Sequence, residues 1–241
     1  MVEFSTQRHR DAKEIVLQKS LTLGSLKSGC IELSKRDEHL RHVFELYGTP
    51  PLWDRPPGFA TLLQIILEQQ VSLASAKACF DKLMNHVGLV TPDKLLSLNN
   101  IELRTIGFSR QKTAYARHLA ESLVNKTVDL DDFNNRNDLE VKAELIKLKG
   151  VGEWTSDIYL LMALLRPDVM PKGDIALHAA FQKLTGAEQR PVSDDFVAMA
   201  VKWKPYRSVA ARLLWHYYLC ERKANKQSVK IVQKSAAGKP I

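Results

Sequence analysis

The sequence predicts an all-α protein, and three observations support this fold class. Apolar residues recur at the three- and four-residue spacing of amphipathic helices, for example in segment 59–67. No window of the 241 residues shows sustained alternation of apolar and polar side chains, and no Asn-Gly or Asp-Gly pair marks a β-hairpin. Glycine and proline stand where helices would end and begin, so the chain is predicted to be a series of short helices.

The predicted helices follow one another with short connections. The first lies near 35–47, before a rigid loop at 48–58 that contains four prolines. The helix that begins at Ala74 ends at Val87 with Gly88 as its cap, and Thr91 and Pro92 supply the N-cap and first position of the next helix. Further helices are predicted at 100–105, 112–125, 140–148, 153–165, 175–185, 193–203 and 208–221, with an acidic connecting loop at 129–137.

Composition excludes several classes of protein. A hydrophobic fraction of 45% with 26% charged residues is typical of a soluble globular chain. No run approaches the roughly 18 apolar residues of a membrane span, and the first residues lack the apolar core of a signal peptide. Cys30, Cys79 and Cys220 are too far apart to indicate a disulfide framework or a cysteine metal cluster, which favours a reducing, intracellular compartment.

The net charge of +8 comes mainly from the end of the chain. Segment 222–241 holds six basic residues and no acidic one, and the rest of the chain is nearly neutral. Net charge is therefore weak evidence for a nucleic-acid partner, and such a partner must be argued from a site. Segment 1–27 is poorly patterned and segment 222–241 is predicted to be a flexible tail.

Segment 144–157 carries the most chemical information. An apolar helix leads into Gly150-Val151-Gly152, and a second helix follows at once. Two glycines permit positive φ angles and the close approach of another chain. The amides that begin the second helix lack intrahelical partners and carry the positive end of its dipole, so this hairpin is suited to binding a phosphate. A plain tight turn between two helices is the alternative interpretation.

The next loop places an aspartate at the start of a helix. Pro171 and Gly173 form the loop, and Asp174 stands immediately before the helix that begins at Ile175. Taken alone, this pattern predicts an N-cap and nothing more.

The hairpin LKGVGEWT at 148–155 and the sequence PKGD at 171–174 together resemble the helix-hairpin-helix, Gly/Pro–Asp (HhH-GPD) superfamily of DNA glycosylases. The branch that the chain resembles is that of 3-methyladenine-DNA glycosylase II. Segment 65–72 (IILEQQVS) resembles the end of the branch's first core helix and its strand-invading loop. Segment 106–112 (IGFSRQK) resembles its second loop, and segment 203–208 (WKPYRS) resembles an element near its C-terminus. The resemblance covers roughly residues 57–219, with the motifs in the same order.

This resemblance implies a two-lobed all-α fold with a DNA-binding cleft between the lobes and no N-terminal β domain. One lobe would comprise residues 58–166, including the hairpin. The other would combine residues 28–57 with residues 167–221. The partner would be double-stranded DNA that contains a damaged base. The protein would bind it as a monomer, and no membrane would be involved.

The resemblance assigns catalysis to Asp174, which can also cap its helix. Removal of a base makes the sugar carbon positive, and a carboxylate can stabilise that state and orient water. An alkylated purine is already positively charged and leaves with little help from a general acid. Relatives that also cut the strand use a lysine two residues after the second hairpin glycine, where this chain has Trp154, and Lys149 lies on the other side of the hairpin. The expected product is therefore an abasic site, and no cofactor or iron–sulfur cluster is expected.

The resemblance also indicates how the damaged nucleotide would be held once it is flipped out of the duplex. Gln70 aligns with the position that fills the gap, with Gln69 beside it, although both could be polar residues that merely face solvent at a helix end. The predicted base pocket comprises Trp154, Tyr206, Ile158, Trp53 and Phe59, for which core packing is the alternative.

The predicted contacts with the DNA backbone centre on the hairpin. The predicted DNA-contacting set comprises Gly150, Val151, Gly152, Lys149, Thr155, Gln69, Gln70, Arg110 and Lys112. Each of the basic side chains could instead be a solvated surface residue. The family hairpin can hold a structural monovalent cation on main-chain oxygens, which would here be those of Ile146, Leu148 and Val151.

Two other functions remain open at this point. The first is a non-catalytic helix-hairpin-helix protein that binds DNA without regard to sequence. The second is a glycosylase for uracil, hypoxanthine or mismatched bases.

Overall fold

The computed structural model describes residues 20–237, with side chains through Asn225; the predictions for residues 1–19 and 238–241 lie outside this range. The described residues form α-helices and two 3₁₀ turns, at Asp131–Asn135 and Ala200–Trp203, and contain no strand, so the all-α prediction is confirmed. The helices are α1 Leu23–Arg36, α2 Glu38–Tyr47, α3 Phe59–Glu68, α4 Leu73–Val87, α5 Pro92–Ser97, α6 Asn100–Ile106, α7 Arg110–Val124, α8 Asp138–Ile146, α9 Glu153–Met162, α10 Ile175–Thr185, α11 Ser193–Met199 and α12 Arg207–Ala237. No helix in residues 20–237 is long and apolar enough to cross a membrane.

The described chain divides into two compact units. The first comprises residue 20 and Asp54–Arg166, and the second comprises Leu21–Trp53 and residues 167–237. In the first unit α3 is buried on nearly all sides, and it packs against α4, α7 and α9. In the second unit α12 packs against α1, α2 and α10.

The beginning of the described chain differs from the prediction. The poorly patterned segment was expected to extend to residue 27, but α1 begins at Leu23 because Thr22 and Ser25 form a capping box and Leu26 is fully buried. The single helix predicted near 35–47 is two helices, α1 and α2, which meet at Asp37. The Oδ1 atom of Asp37 accepts hydrogen bonds from the amides of His39 and Leu40, so it starts a new helix there.

Several helices end at other residues than predicted, among them α8, which ends at Ile146 instead of 148. Helix α9 ends at Met162 instead of 165, since Leu165 has a φ of 54° and the Arg166 amide bonds back to Leu160. Helix α12, predicted to end at residue 221, continues through Ala237, so the segment predicted to be a flexible tail is helical over 222–237. The chain has no glycine or proline between Pro205 and Gly238, and residues 222–237 are rich in good helix formers such as Ala, Lys and Gln.

Candidate functional site

Asp174 caps α10 in the second unit, as its position in the sequence predicts. Its Oδ1 atom accepts a hydrogen bond from the Leu177 amide at 2.9 Å, and only 8% of the residue is exposed. Gly173 precedes it with a φ of 78°, a backbone conformation in which a side chain would be strained. The glycine therefore makes the turn that places the carboxylate at the positive end of the helix dipole.

The indole of Trp215 in α12 holds the same carboxylate. Its Nε1–H donates to Oδ1 of Asp174 at 3.2 Å, and Trp215 itself is buried. Two donors on one oxygen fix the orientation of the side chain. No sequence pattern distinguishes Trp215, because a tryptophan within an apolar helix stripe looks the same whether it only packs or also donates a hydrogen bond.

Trp53 stands beside this pair within the second unit. Its ring meets Trp215 edge-on with the centroids 6.3 Å apart, and it meets His216 at 6.4 Å. Its φ of 49° is unusual for a bulky residue, which shows that the surrounding structure holds it in place. One predicted pocket residue thus lies against the tryptophan that contacts Asp174.

His178 lies one helical turn after Asp174 and is buried against the ring of Phe196, with the centroids 4.7 Å apart. Burial lowers the pKa of its imidazole; the negative charge of Asp174 opposes this shift, and Arg190 adds to it. The imidazole is therefore neutral at pH 7, and its role is packing.

The two hairpin glycines of the first unit differ in backbone conformation and in surroundings. Gly150 has a φ of 82°, and a Cβ there would overlap the ring of Tyr115. Gly152 is extended and exposed, and no heavy atom lies within 4 Å of where its Cβ would stand. It begins α9 without a side-chain cap. Gly150 is thus required by packing, whereas Gly152 leaves space open in front of the helix.

Side chains of the first unit hold the hairpin rigid. Nε2 of Gln69 donates to the Gly150 carbonyl at 2.7 Å and to Oγ1 of Thr155 at 2.9 Å. Lys142 of α8 forms an ion pair with buried Asp157 of α9 at 2.8 Å. Thr155 is only 2% exposed. The DNA contacts predicted for Thr155 and Gln69 stay predictions; in this structure both side chains fasten the hairpin to the end of α3.

Gln70 differs sharply from its neighbour. It adopts a left-handed backbone with a φ of 56°, and its side chain is exposed, as are those of the next residues, Val71 and Leu73. The loop between α3 and α4 therefore presents Gln70 and Val71 to solvent.

The predicted basic contacts fall into two groups. Arg110, at the start of α7, and Lys149, in the hairpin, are exposed. Lys112 is half-buried, and its Nζ donates to the Leu67 carbonyl at 2.5 Å, near the end of α3. Burial lowers its pKa. Lys112 is therefore a cap for the C-terminal end of α3, in contrast to the predicted phosphate contact.

The remaining predicted pocket residues lie in both units. In the first, Trp154 is partly exposed in the first turn of α9, whereas Ile158 and Phe59 are 2% and 8% exposed. In the second, Tyr206 is half-buried, with the Arg36 guanidinium 5.6 Å from its ring centroid. Burial gives Ile158 and Phe59 a packing role, and Trp154 keeps a surface that a ligand can reach.

The donor chemistry of the hairpin fits a monovalent cation. The carbonyls of Ile146 and Leu148 lie at the C-terminal end of α8, where the helix dipole is negative, and that of Val151 lies in the hairpin just before Gly152. The Val151 amide donates to the Leu148 carbonyl at 3.1 Å, which leaves that oxygen a second lone pair. No cluster of His, Cys, Asp or Glu within the described residues has a geometry for metal binding.

The chain is similar to known proteins over most of its length. A family profile described as "HhH-GPD superfamily base excision DNA repair protein" matches residues 63–205. DNA-3-methyladenine glycosylase 1 of Schizosaccharomyces pombe is 24% identical over 205 residues, 82% of this chain and 90% of that protein. The structure of the S. pombe 3-methyladenine DNA glycosylase with abasic DNA has a TM-score of 0.72 at 24% identity, over 78% of this chain and 95% of that one. DNA-3-methyladenine glycosidase of Bacillus halodurans has a TM-score of 0.66 at 28% identity, over 76% and 86% of the two chains.

Proposed function

The chain belongs to the HhH-GPD superfamily of base excision DNA repair proteins, and from this membership we propose that it is a monofunctional DNA glycosylase. Its substrate is an alkylated purine of the 3-methyladenine type in duplex DNA, and its product is an abasic site. The observation that carries the proposal is the buried Asp174 carboxylate, oriented by the Leu177 amide and the Trp215 indole. Relatives that bear 3-methyladenine glycosylase names over most of this chain support the substrate class.

Asp174 supplies the charge that the reaction needs. The bond between the sugar C1′ and the purine nitrogen breaks, and its electron pair leaves with the cationic purine, which becomes neutral. The negative carboxylate stabilises the positive sugar in the transition state, and because two donors hold it in advance, little reorganisation is needed. A water oxygen then bonds to C1′ and loses its proton. The neutral leaving group explains why one carboxylate suffices.

The hairpin of the first unit binds the DNA backbone in this proposal. The start of α9 at Gly152 has no side-chain cap, and its amides carry the positive end of the helix dipole. Exposed Arg110 and Lys149 add phosphate contacts. In the second unit, which also carries Asp174, Trp53 and Tyr206 contribute aromatic surface to the flipped base, an electron-poor ring.

Substituting the two adjacent glutamines one at a time is expected to distinguish a residue that stabilises the fold, Gln69, from one that acts on DNA, Gln70. Gln69→Ala removes both hydrogen bonds to the hairpin, one of them to the buried Thr155 hydroxyl. The free energy of unfolding should therefore fall by about 1–3 kcal/mol. Gln70→Ala changes stability by less than about 0.5 kcal/mol, since that side chain is exposed.

The same pair is then compared in single-turnover base release. If Gln70 fills the gap left by the flipped base, Gln70→Ala lowers the rate by about 3- to 10-fold, because gap filling offsets part of an unstacking energy of a few kcal/mol. Thermal unfolding and base release, measured on both variants, test the assignment. Full activity of Gln70→Ala on duplex DNA would remove Gln70 from the mechanism.

The product is expected to be an abasic site in an intact strand. Trp154 stands where strand-cutting relatives have a lysine, and an indole cannot form a Schiff base. Duplex DNA with one 3-methyladenine or 7-methylguanine should release the free base, and the strand should break only after alkali. Borohydride should trap no covalent adduct. A trapped adduct, or a strand break without alkali, would contradict the monofunctional assignment.

A panel of lesions distinguishes the other two functions. A non-catalytic DNA-binding protein would bind the alkylated duplex and release no base from any member of the panel. A glycosylase of different specificity would release uracil, hypoxanthine or a mismatched base faster than an alkylated purine. Sedimentation of the protein with and without DNA tests the monomeric state.

A further inference from the structure

Helix α12 extends well beyond the part that packs in the second unit. Residues 208–215 are buried, and Glu221 is linked to Lys183 of α10 and to Tyr47 of α2. From Arg222 to Asn225 every residue is exposed, and the helix continues to Ala237. The second half of α12 is therefore a helical extension, residues 222–237.

The basic residues of this extension share one side of the helix. At about 100° per residue, all five fall within about 120° of the circumference. These residues are Arg222, Lys223, Lys226, Lys230 and Lys234. We call them the basic stripe. Four of them repeat every fourth residue, or about 6 Å along the axis, so the stripe is about 18 Å long.

The stripe contains no compensating charge. Segment 222–237 has no acidic residue, and like charges four positions apart repel one another within a helix. A polyanion laid along the stripe removes this repulsion. One strand of duplex DNA carries a phosphate every 3.4 Å of axis, so about 18 Å corresponds to roughly five phosphates.

The stripe also lies in register with the candidate active site. Trp215, whose indole contacts Asp174, precedes Arg222 by seven residues and lies within about 20° of it around the axis. The stripe therefore begins about 10 Å from Trp215 along α12, nearly in line with it, and ends about 28 Å from it and about 100° around the helix.

The composition of the extension favours DNA over a membrane surface. Membrane-surface helices carry large apolar residues such as Trp, Phe or Leu opposite their basic face. Segment 222–237 has no aromatic residue and no leucine. Its attraction to an anionic partner is thus electrostatic, which is the mode by which proteins grip the DNA backbone.

We propose that the basic stripe of α12 binds the phosphate backbone of the duplex that flanks the damaged nucleotide. This inference rests on the proposed function, since it takes damaged duplex DNA as the partner. The stripe adds affinity and salt dependence to binding, while the chemical step stays with Asp174.

The test uses two variants of the full chain. The stripe variant carries Arg222→Gln, Lys226→Gln, Lys230→Gln and Lys234→Gln, since glutamine has nearly the helix propensity of lysine. The relocated variant adds Ala224→Lys, Ser228→Lys, Ile231→Lys and Ser235→Lys, which restores the net charge about 180° around the helix. Circular dichroism should show equal helix content in all three proteins. Binding is measured on a duplex with a stable abasic analogue, so it does not require base release.

The stripe variant should bind the duplex at least about 10-fold more weakly, and its slope of log affinity against log salt should fall by about 3, close to 0.9 for each lost phosphate contact. The relocated variant should stay weak. Single-turnover base release at saturating enzyme should match the parent. If the parent itself releases no base, the proposed function fails, whereas the binding comparison still decides the role of the stripe.

Three results would overturn the proposal. If the slope of log affinity against log salt were unchanged in the stripe variant, the extension would be a solvent-exposed helix that does not contact DNA. Full recovery of affinity by the relocated variant would mean that net charge, and not the stripe, attracts DNA. Loss of binding to phosphatidylserine–phosphatidylcholine vesicles with unchanged DNA affinity would make the extension a membrane-surface helix.

Discussion

Replacing Asp174 with asparagine is expected to slow single-turnover base release from alkylated duplex DNA by about 10²- to 10⁴-fold while the protein stays folded and binds DNA. Asparagine keeps an oxygen that accepts from the Leu177 amide and the Trp215 indole, so the helix cap survives. What is lost is the negative charge that stabilises the positive sugar. The effect therefore falls on the chemical step and leaves affinity nearly unchanged.

The matched control is Asp174→Ala, which removes both the charge and the cap. It should be as inactive as Asp174→Asn and, in addition, less stable by about 1 kcal/mol, the usual cost of losing an N-cap. Thermal unfolding separates the two variants, and quantified release of free base compares their chemistry. If Asp174→Asn kept a rate within about threefold of the parent, Asp174 would be a cap only, and the enzymatic proposal would lose its central residue.

The two hairpin glycines are expected to respond in opposite ways to substitution by alanine. Gly150→Ala forces a Cβ into the Tyr115 ring at a positive φ. The left-handed backbone costs about 1–2 kcal/mol and the overpacking a further 1–3 kcal/mol, so the midpoint of thermal unfolding should fall by about 5–15 °C.

Gly152→Ala meets nothing, because no heavy atom lies within 4 Å of the new Cβ and the backbone is extended. Stability should change by no more than about 1 kcal/mol. Affinity for duplex DNA should fall by about 10-fold or more, since the methyl group blocks the approach of a phosphate to the α9 amides and weakens a charge-assisted hydrogen bond. Unfolding midpoints and DNA titrations of the two variants test this. Unchanged affinity in Gly152→Ala would show that the open space in front of α9 is not a phosphate site.

Local signals were enough to predict much of the fold. Thr91 and Pro92 begin α5, Gly88 and Gly107 follow the ends of α4 and α6, and Asp174 caps α10, because each acts on backbone atoms within a few residues. The same kind of signal was overlooked at Asp37, which ends one helix and caps the next. Helix α12 continues to Ala237 because no helix breaker is present, although its last part has few large apolar side chains.

Polar contacts between segments far apart in the chain could not be predicted from the sequence. Gln69, Thr155 and Lys112 are ordinary surface residue types, and their predicted contact with DNA was a reasonable inference from position alone. The structure instead turns Gln69 onto the hairpin 81 residues away and Lys112 onto the carbonyl of Leu67. Burial of a polar group requires a partner, and that partner is set by packing.

The helical fold class, the glycine hairpin and the aspartate at the start of α10 follow from the sequence alone. Each depends on backbone conformation over a few residues, which the local residue types control. The contact of Trp215 with Asp174, the packing of Tyr115 against Gly150 and the exposure of one of two adjacent glutamines depend on how the helices pack. These are contacts between segments far apart in the chain, and no local preference encodes which side chains the packing of helices will bring together.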